Sequence, residues 1–234
     1  MTFGLDAYTR NARLKPALIA MLPVAWTIMA WAPGNASGWG GLWTLFVAGG
    51  GTWLLSQVAR DRGKKKETQL FAKFGGRPTE QLLSHGCAHN TVRLRQRHAK
   101  LATLMTDLRV PSAEEEIRTP AAAHEVYQAC TAFLISRTRA DQLLFQENMN
   151  YGFRRNLWGL KPVGIVVSAG SAVVLGLRLY RELLQTSTLV PILAGVEVLN
   201  ILMLIAWVIW ITPAWVMIPA RAYAERLLDA LDRM

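Results

Sequence analysis

Four runs of this 234-residue chain are almost free of charge, and they come as two pairs with about a hundred polar residues between them. Pro16 to Ala32, Leu42 to Val58 and Pro162 to Leu177 hold no charged residue, and Leu189 to Ile218 holds only Glu197. A bilayer core takes about 20 apolar residues per helix, or roughly 17 at the short end, and each run reaches or nearly reaches that length. The pattern predicts an all-α membrane protein with four transmembrane helices in two hairpins and a helical cytoplasmic cap between them. Residues 1–58 form the N-terminal segment and first hairpin, 59–161 the cap, 162–218 the second hairpin, and 219–234 an amphipathic C-terminal tail. The first run lacks a small-residue cleavage site and is followed at once by a second span, so it reads as an anchor rather than a secretory signal.

Charge placement predicts orientation. Arg10, Arg13 and Lys15 precede the first run, the turn Pro33–Gly41 has no charge, and Arg60, Arg62, Lys64, Lys65 and Lys66 follow the second run. Cationic loops stay on the cytoplasmic side, which puts both termini and the cap there. The connection from Arg178 to Thr188 is nearly balanced, as an outer loop can be. Trp31, Trp39, Trp158 and Trp215 fall where interfacial aromatics are expected. The two cysteines, Cys87 and Cys130, both lie in the polar middle, consistent with a reducing compartment and no disulfide framework.

Between Ala59 and Lys161 there are eighteen Lys or Arg against ten Asp or Glu, a net charge of +8 out of +10 for the whole chain. The stretch from Arg60 to Arg77 reads as a basic linker closing with FGGRPT. Thr79 then caps a helical run from Glu80 to about Leu108, ended by Pro111. Ser112 and Glu115 have capping-box spacing, and Pro120 opens a long helix through Val126, Tyr127, Phe133, Leu134, Leu144 and Phe145, continuous into the third span. Arg93, Arg97 and Lys100, at i, i+4 and i+7, share one face, with Arg95 and His98 to either side. Such a face either solvates the helix or binds an anion: nucleotide, nucleic acid or lipid headgroup. Arg77 and Phe74 lie in the closing turn. Phe71, Phe74 and Tyr127 are either core residues or stacking surfaces for single-stranded nucleic acid. Arg154, Arg155 and Lys161 precede the third span, where they can snorkel to phosphates of the membrane lipids or couple cap to pore.

His85, Cys87, His89 and His98 resemble metal ligands but offer no four-ligand spacing, so no metal site is expected. No phosphate-cradling loop, HExxH, nucleophile elbow or paired carboxylates occur; neither an enzyme nor a cofactor is expected. Glu197 and Asn200 sit three residues apart inside the fourth run. A carboxylate in hydrocarbon costs on the order of 2.5–3.5 kcal/mol, so it must face protein or water. It marks an ion path, with Leu204 and Trp207 as an apolar constriction, or an interhelical pair with Arg178 or Thr52. Gly164, Ser168 and Ala172 in span three, and Gly49 to Gly51 in span two, permit close helix contact. Four helices enclose an ion path poorly, so a pore implies a cyclic homo-oligomer, with a tetramer favoured.

The strings FGGRPTEQLLSH, PSAEEEIRTPAAAHEVYQ and LLFQENMNYGFRRNLWGLKP, with the two-hairpin topology, resemble the channel effector of Hailong anti-phage defence. The resemblance implies an oligomeric ion channel whose cytoplasmic crown binds single-stranded DNA oligomers. A partner nucleotidyltransferase makes that DNA, which holds the channel closed until infection removes it. Four-span effectors gated by cyclic nucleotides share the arrangement. A membrane-anchored scaffold for a secretion or conjugation apparatus explains the cap equally well but does not need Glu197. A lipid-modifying enzyme is disfavoured by the missing catalytic set.

Overall fold

The computed structural model describes residues 6–31, 38, 50–88, 90–186 and 190–234, with only the backbone of Thr52. Every regular element among them is helical. A wide π-turn, Thr9–Leu14, leads into α1, Lys15–Trp31. Then come α2 (Gly51–Lys73), α3 (Pro78–Leu83), α4 (Thr91–Leu104), α5 (Ala113–Arg118), α6 (Pro120–Arg137), α7 (Gln142–Gly159), α8 (Lys161–Thr186), α9 (Pro191–Ile205) and α10 (Pro213–Asp229). Among the described residues three helices are long and apolar enough to cross a membrane: Thr9–Trp31, Lys161–Thr186 and Pro191–Trp210, of 23, 26 and 20 residues. At 1.5 Å rise per residue the shortest is about 30 Å long, the thickness of a bilayer core. The turn expected at Pro33–Gly41, and Leu42 to Gly49 of the second run, lie outside the described residues apart from Gly38.

Several boundaries differ from the sequence reading, each for a local reason. The basic linker is helix: α2 runs unbroken from Gly51 to Lys73, because its lysines and arginines are good helix formers and neither Gly63 nor the charge run breaks it. The helix expected from Glu80 to Leu108 is two helices. Pro78, not Glu80, takes the first position of α3, with Arg77 as the extended N-cap, and the chain leaves helix at Ser84 before restarting at Thr91. Asn90 caps α4, accepting from the Arg93 amide at 3.0 Å. The capping box at Ser112 and Glu115, and Pro120 at the start of α6, form as expected. The long helix expected from Pro120 into the third span is instead three helices, interrupted at 138–141 and at Leu160, and α8 stays helical through Arg178 to Thr186, most of the expected outer connection. The fourth apolar run does not continue as one helix to Ile218. It widens into a π-turn at Ala206–Trp210, breaks at Ile211 and Thr212, and restarts at Pro213. Proline has no amide hydrogen to donate and disfavours helix in the residue before it. The carbonyls freed there are not left bare: Lys161 Nζ donates to Val208 and Ile211 oxygens at 2.9 and 3.0 Å.

The chain divides into two compact units, residues 1–67 with 152–216 and residues 68–151 with 217–234. In the first unit α1, α8 and α9 pack along one seam. Leu193, Asn200 and Trp207 recur every seventh residue of α9 and its π-turn, with exposures of 2%, 0% and 0%. Opposite them α8 presents Gly164, Ser168, Ser171 and Leu175, and α1 presents Ala17, Ala20, Thr27 and Ala30. Small residues on two helices let the third bring in bulk, which is how helices associate where lipid removes the hydrophobic drive. Ala30, Leu175 and Leu193 close one end of this seam, and Ala17, Ala20, Trp207 and Ile211 the other, so α9 runs antiparallel to α1 and α8.

The second unit has its own core of Leu83, Leu101, Tyr127, Cys130, Leu134 and Leu144, completed by Leu227, Leu228 and Leu231 from the C-terminal end. The C-terminal segment therefore contributes its apolar face to this core.

Candidate functional site

The residues expected to line a pore separate into two groups. Asn200 has no exposed surface; its Oδ1 accepts from Trp26 Nε1 and its Nδ2 donates to Thr27 Oγ1 at 3.1 Å. Trp207 is also fully buried, its indole lying flat against Gly164, where any Cβ would overlap the ring carbons. Both side chains are packed within the chain. At the position expected to form a constriction, the Trp207 ring fills the space that glycine at 164 leaves in the seam. Glu197 and Leu204 flank the seam and are half-buried. Glu197 Oε2 is buried with no hydrogen-bond donor among the described residues, and the Glu197 carboxylate lies beside Gly176 of α8. The interhelical pair expected for Glu197 with Arg178 does not form; Arg178 instead donates to the Trp31 carbonyl, stacks over the Trp31 ring at 4.9 Å and lies 3.8 Å from Glu182.

Arg154 and Arg155 sit in a junction of the first unit that the sequence does not disclose. Arg154 lies over the Trp215 ring at 4.6 Å and donates to the Trp215 carbonyl at 3.0 Å. Arg155 is buried and pairs with Glu67 at 2.9 Å, each side chain only about a tenth exposed. Beside it the buried Asn156 donates to the Ala12 carbonyl at 2.6 Å. Helices α2 and α7 cross at contact distance because Gly63 meets Asn156 and Gly159 meets the Gly63 backbone; a Cβ at 159 would lie 2.5 Å from the Gly63 nitrogen. The ion pair ties the two helices at their glycine crossing, and Lys64 meets the other oxygen of Glu67, so the buried carboxylate is held from both sides. Glu67 escapes notice in the sequence because it sits in a lysine run, where an acid reads as local neutralisation.

On α4 the cationic face exists, and it is occupied. Arg93 and Arg97 both reach Asp229, at 2.7 and 3.2 Å, and Lys100 reaches Asp232 at 2.8 Å and the Leu231 carbonyl at 3.2 Å. Arg97 is buried, at 8% exposure, while Arg93 and Lys100 stay half exposed. The bond and charge from Lys100 hold the Asp232 carboxyl below its usual range. Arg95 is exposed and donates to its own helix at Thr91. His98 is not a surface cation: its Nε2 donates to the Leu83 carbonyl at 2.8 Å, its ring meets His85 edge-on at 4.9 Å, and burial pushes its pKa down. Arg77 is exposed, 3.7 Å from Glu80. Phe74 is half-buried, and its carbonyl accepts from Gln81. Tyr127 is core, stacked on His98 at 6.2 Å, and Phe71 stacks on Tyr151 at 6.4 Å. The signal in the sequence that points to Asp229 and Asp232 is their i, i+3 spacing at the end of an amphipathic helix, which complements Arg93, Arg97 and Lys100.

Among the described residues no three metal-ligating side chains converge; His89 lies outside them. His85 Nε2 donates to the Pro111 carbonyl at 3.1 Å. Compared with known proteins, the chain matches no family model, no curated protein and no solved structure.

Proposed function

We propose that the chain is the subunit of a ligand-gated, homo-oligomeric ion channel in a bacterial inner membrane, with both termini and the cap cytoplasmic. Glu197 carries this reading: an acid in the most apolar helix, half-buried, with one oxygen shielded from any donor among the described residues. Its cost in hydrocarbon, on the order of 2.5–3.5 kcal/mol, is relieved if a path between subunits brings it water or a permeant cation. Leu204, seven residues further on, lies on the same flank, and Ile201, Ile205 and Val208 are exposed beyond the seam for lipid or a neighbouring copy. Asn200 and Trp207 hold the helices and leave the path to this flank.

The cap supplies the gate. Arg93 and Lys100 are half exposed, and ion pairs of that exposure contribute about 0–1 kcal/mol each, so a polyanion can displace Asp229 and Asp232. Single-stranded DNA oligomers from a partner nucleotidyltransferase are the proposed signal, in keeping with the resemblance to the Hailong effector; cyclic nucleotides are the alternative ligand. Reconstituted in liposomes, the wild type should pass cations and a short DNA oligomer should reduce the flux. Glu197→Gln should change conductance or selectivity while leaving the oligomer intact. No flux under any condition removes the channel reading.

A membrane-anchored scaffold is the second reading, favoured by Asn200 and Trp207 being committed to intrachain packing. It predicts that Glu197→Gln disrupts assembly and that no variant conducts.

A further inference from the structure

We infer that the cap carries a binding cleft for a compact organic cation bearing N–H donors, with the Glu80 carboxylate as its receptor. The cleft, of about 160 Å³, lies wholly within the second unit, between the turn at Gly75 and Gly76, α3, and the first turns of α6. Positive φ angles of +79° and +121° at Gly75 and Gly76 let the chain leave α2 and turn sharply into Pro78. That turn forms one wall.

Two carboxylates line the cleft, and their situations are opposite. Glu116 is saturated: it accepts from Ser84 Oγ, from the His85 amide at 2.8 Å and from the Tyr127 hydroxyl at 2.7 Å. Burial pushes its pKa up, but these donors outweigh it and hold the group below its usual range. Glu116 is a tie between α3, α5 and α6. Glu80 is more deeply buried, with its side chain 6% exposed. Its Oε2 lies 3.3 Å from His124 Nδ1, but no hydrogen-bond donor among the described residues reaches its Oε1. The Arg77 guanidinium stands 3.7 Å from that oxygen, outside hydrogen-bond range, and more than half in solvent. Burial raises the Glu80 pKa. A buried carboxylate oxygen lacking a donor is expensive in a protein interior unless something brings one.

The chemistry of the wall says what that is. Two acids, one imidazole (His124) and no lysine line the cleft, with Arg77 beside Glu80, so the wall favours a cation over phosphate and carboxylate ligands even though the cap as a whole is basic. A ligand without N–H or O–H groups leaves Oε1 as it is. A guanidinium or primary ammonium supplies both donor and charge, and guanidinium's planar fork matches a carboxylate. This cleft is separate in charge and in residues from the α4 face, and it stands whether or not that face binds a polyanion.

Cys87 provides a reporter. It lines the cleft and is exposed, whereas Cys130, the other cysteine, is buried with its thiol pKa pushed up to about 11. A thiol reagent added to the full-length protein in detergent therefore reads Cys87. n-Butylguanidinium should slow that reaction saturably, by about fivefold or more, because an occupied cleft blocks the reagent. Sodium chloride at equal ionic strength and n-butylurea, the uncharged isostere, should not. Glu80→Gln should abolish protection, with Cys130 staying unreactive as evidence of an intact fold. An unchanged rate with n-butylguanidinium, equal protection by n-butylurea, or protection surviving in a folded Glu80→Gln protein would overturn the proposal. Should that variant unfold, the two wild-type ligands still decide it.

Discussion

Replacing Gly164 by alanine tests the seam on which the whole membrane unit depends. A Cβ at this position would sit against three ring carbons of Trp207, well inside the 3.0 Å that real Cβ contacts essentially never breach. The ring cannot yield, being fully buried among α1, α8 and α9. Overpacking of this kind costs about 1–3 kcal/mol even after the helix gains the roughly 1 kcal/mol by which alanine outranks glycine in propensity. Trp207→Ala alone should cost about 3–5 kcal/mol, through lost packing and the cavity left behind. In the Trp207→Ala background the clash is gone, so Gly164→Ala should be neutral or stabilising by about 1 kcal/mol. The coupling between the two sites is then about 1–4 kcal/mol, large enough to resolve in a double-mutant cycle. Pulse proteolysis of detergent-solubilised protein across an SDS titration measures it without relying on tryptophan fluorescence. If Gly164→Ala costs the same in both backgrounds, the ring does not lie on Gly164 and the seam is wrong. A Trp207→Ala protein that keeps its stability but leaks ions would return Trp207 to the pore.

The buried pair at the α2–α7 crossing gives a second test: Arg155→Met should cost less than the about 3–5 kcal/mol of an orphaned buried charge, because Lys64 still reaches Glu67, and adding Lys64→Met should raise the cost in the same assay. Asp229→Asn with Asp232→Asn should raise affinity for a short oligothymidylate and steepen its salt dependence by about 0.7 for each additional phosphate neutralised, measured by fluorescence anisotropy; unchanged affinity would remove the α4 face as the DNA site. The two cleft carboxylates predict opposite pH effects. Glu116 titrates lower in the folded protein than its ordinary 4.5, so its stabilisation is full above that value and lost as pH falls through the folded pKa. Glu80 titrates higher, so the cap gains stability as pH falls through its raised pKa towards 4.5. Melts should therefore show Glu80→Gln more stable than wild type at pH near 7 and Glu116→Gln less stable, with both differences shrinking towards pH 3.

The helical class, three of the apolar spans, the cap at Ser112, the start at Pro120 and the shared face of Arg93, Arg97 and Lys100 are all legible in the amino-acid order. They follow from local composition and from the 3.6-residue period, which act over a few turns of one helix. Asn200 and Trp207 also stand out there, because polar and bulky groups in an apolar run are visible without a structure. Their direction is not. Period alone puts Glu197, Asn200, Leu204 and Trp207 on one broad face, while packing chooses Asn200 and Trp207 for the seam and leaves Glu197 and Leu204 at its edge. Gly164 on α8 makes that choice for Trp207, and Trp26 and Thr27 on α1 make it for Asn200, the latter two lying 174 and 173 positions away in the chain. Pairings across such distances have no sequence period to reveal them. The same holds for Asp229 against Arg93, for Glu67 against Arg155, and for Glu80, whose single unmet oxygen becomes visible only once α3 and α6 have packed together.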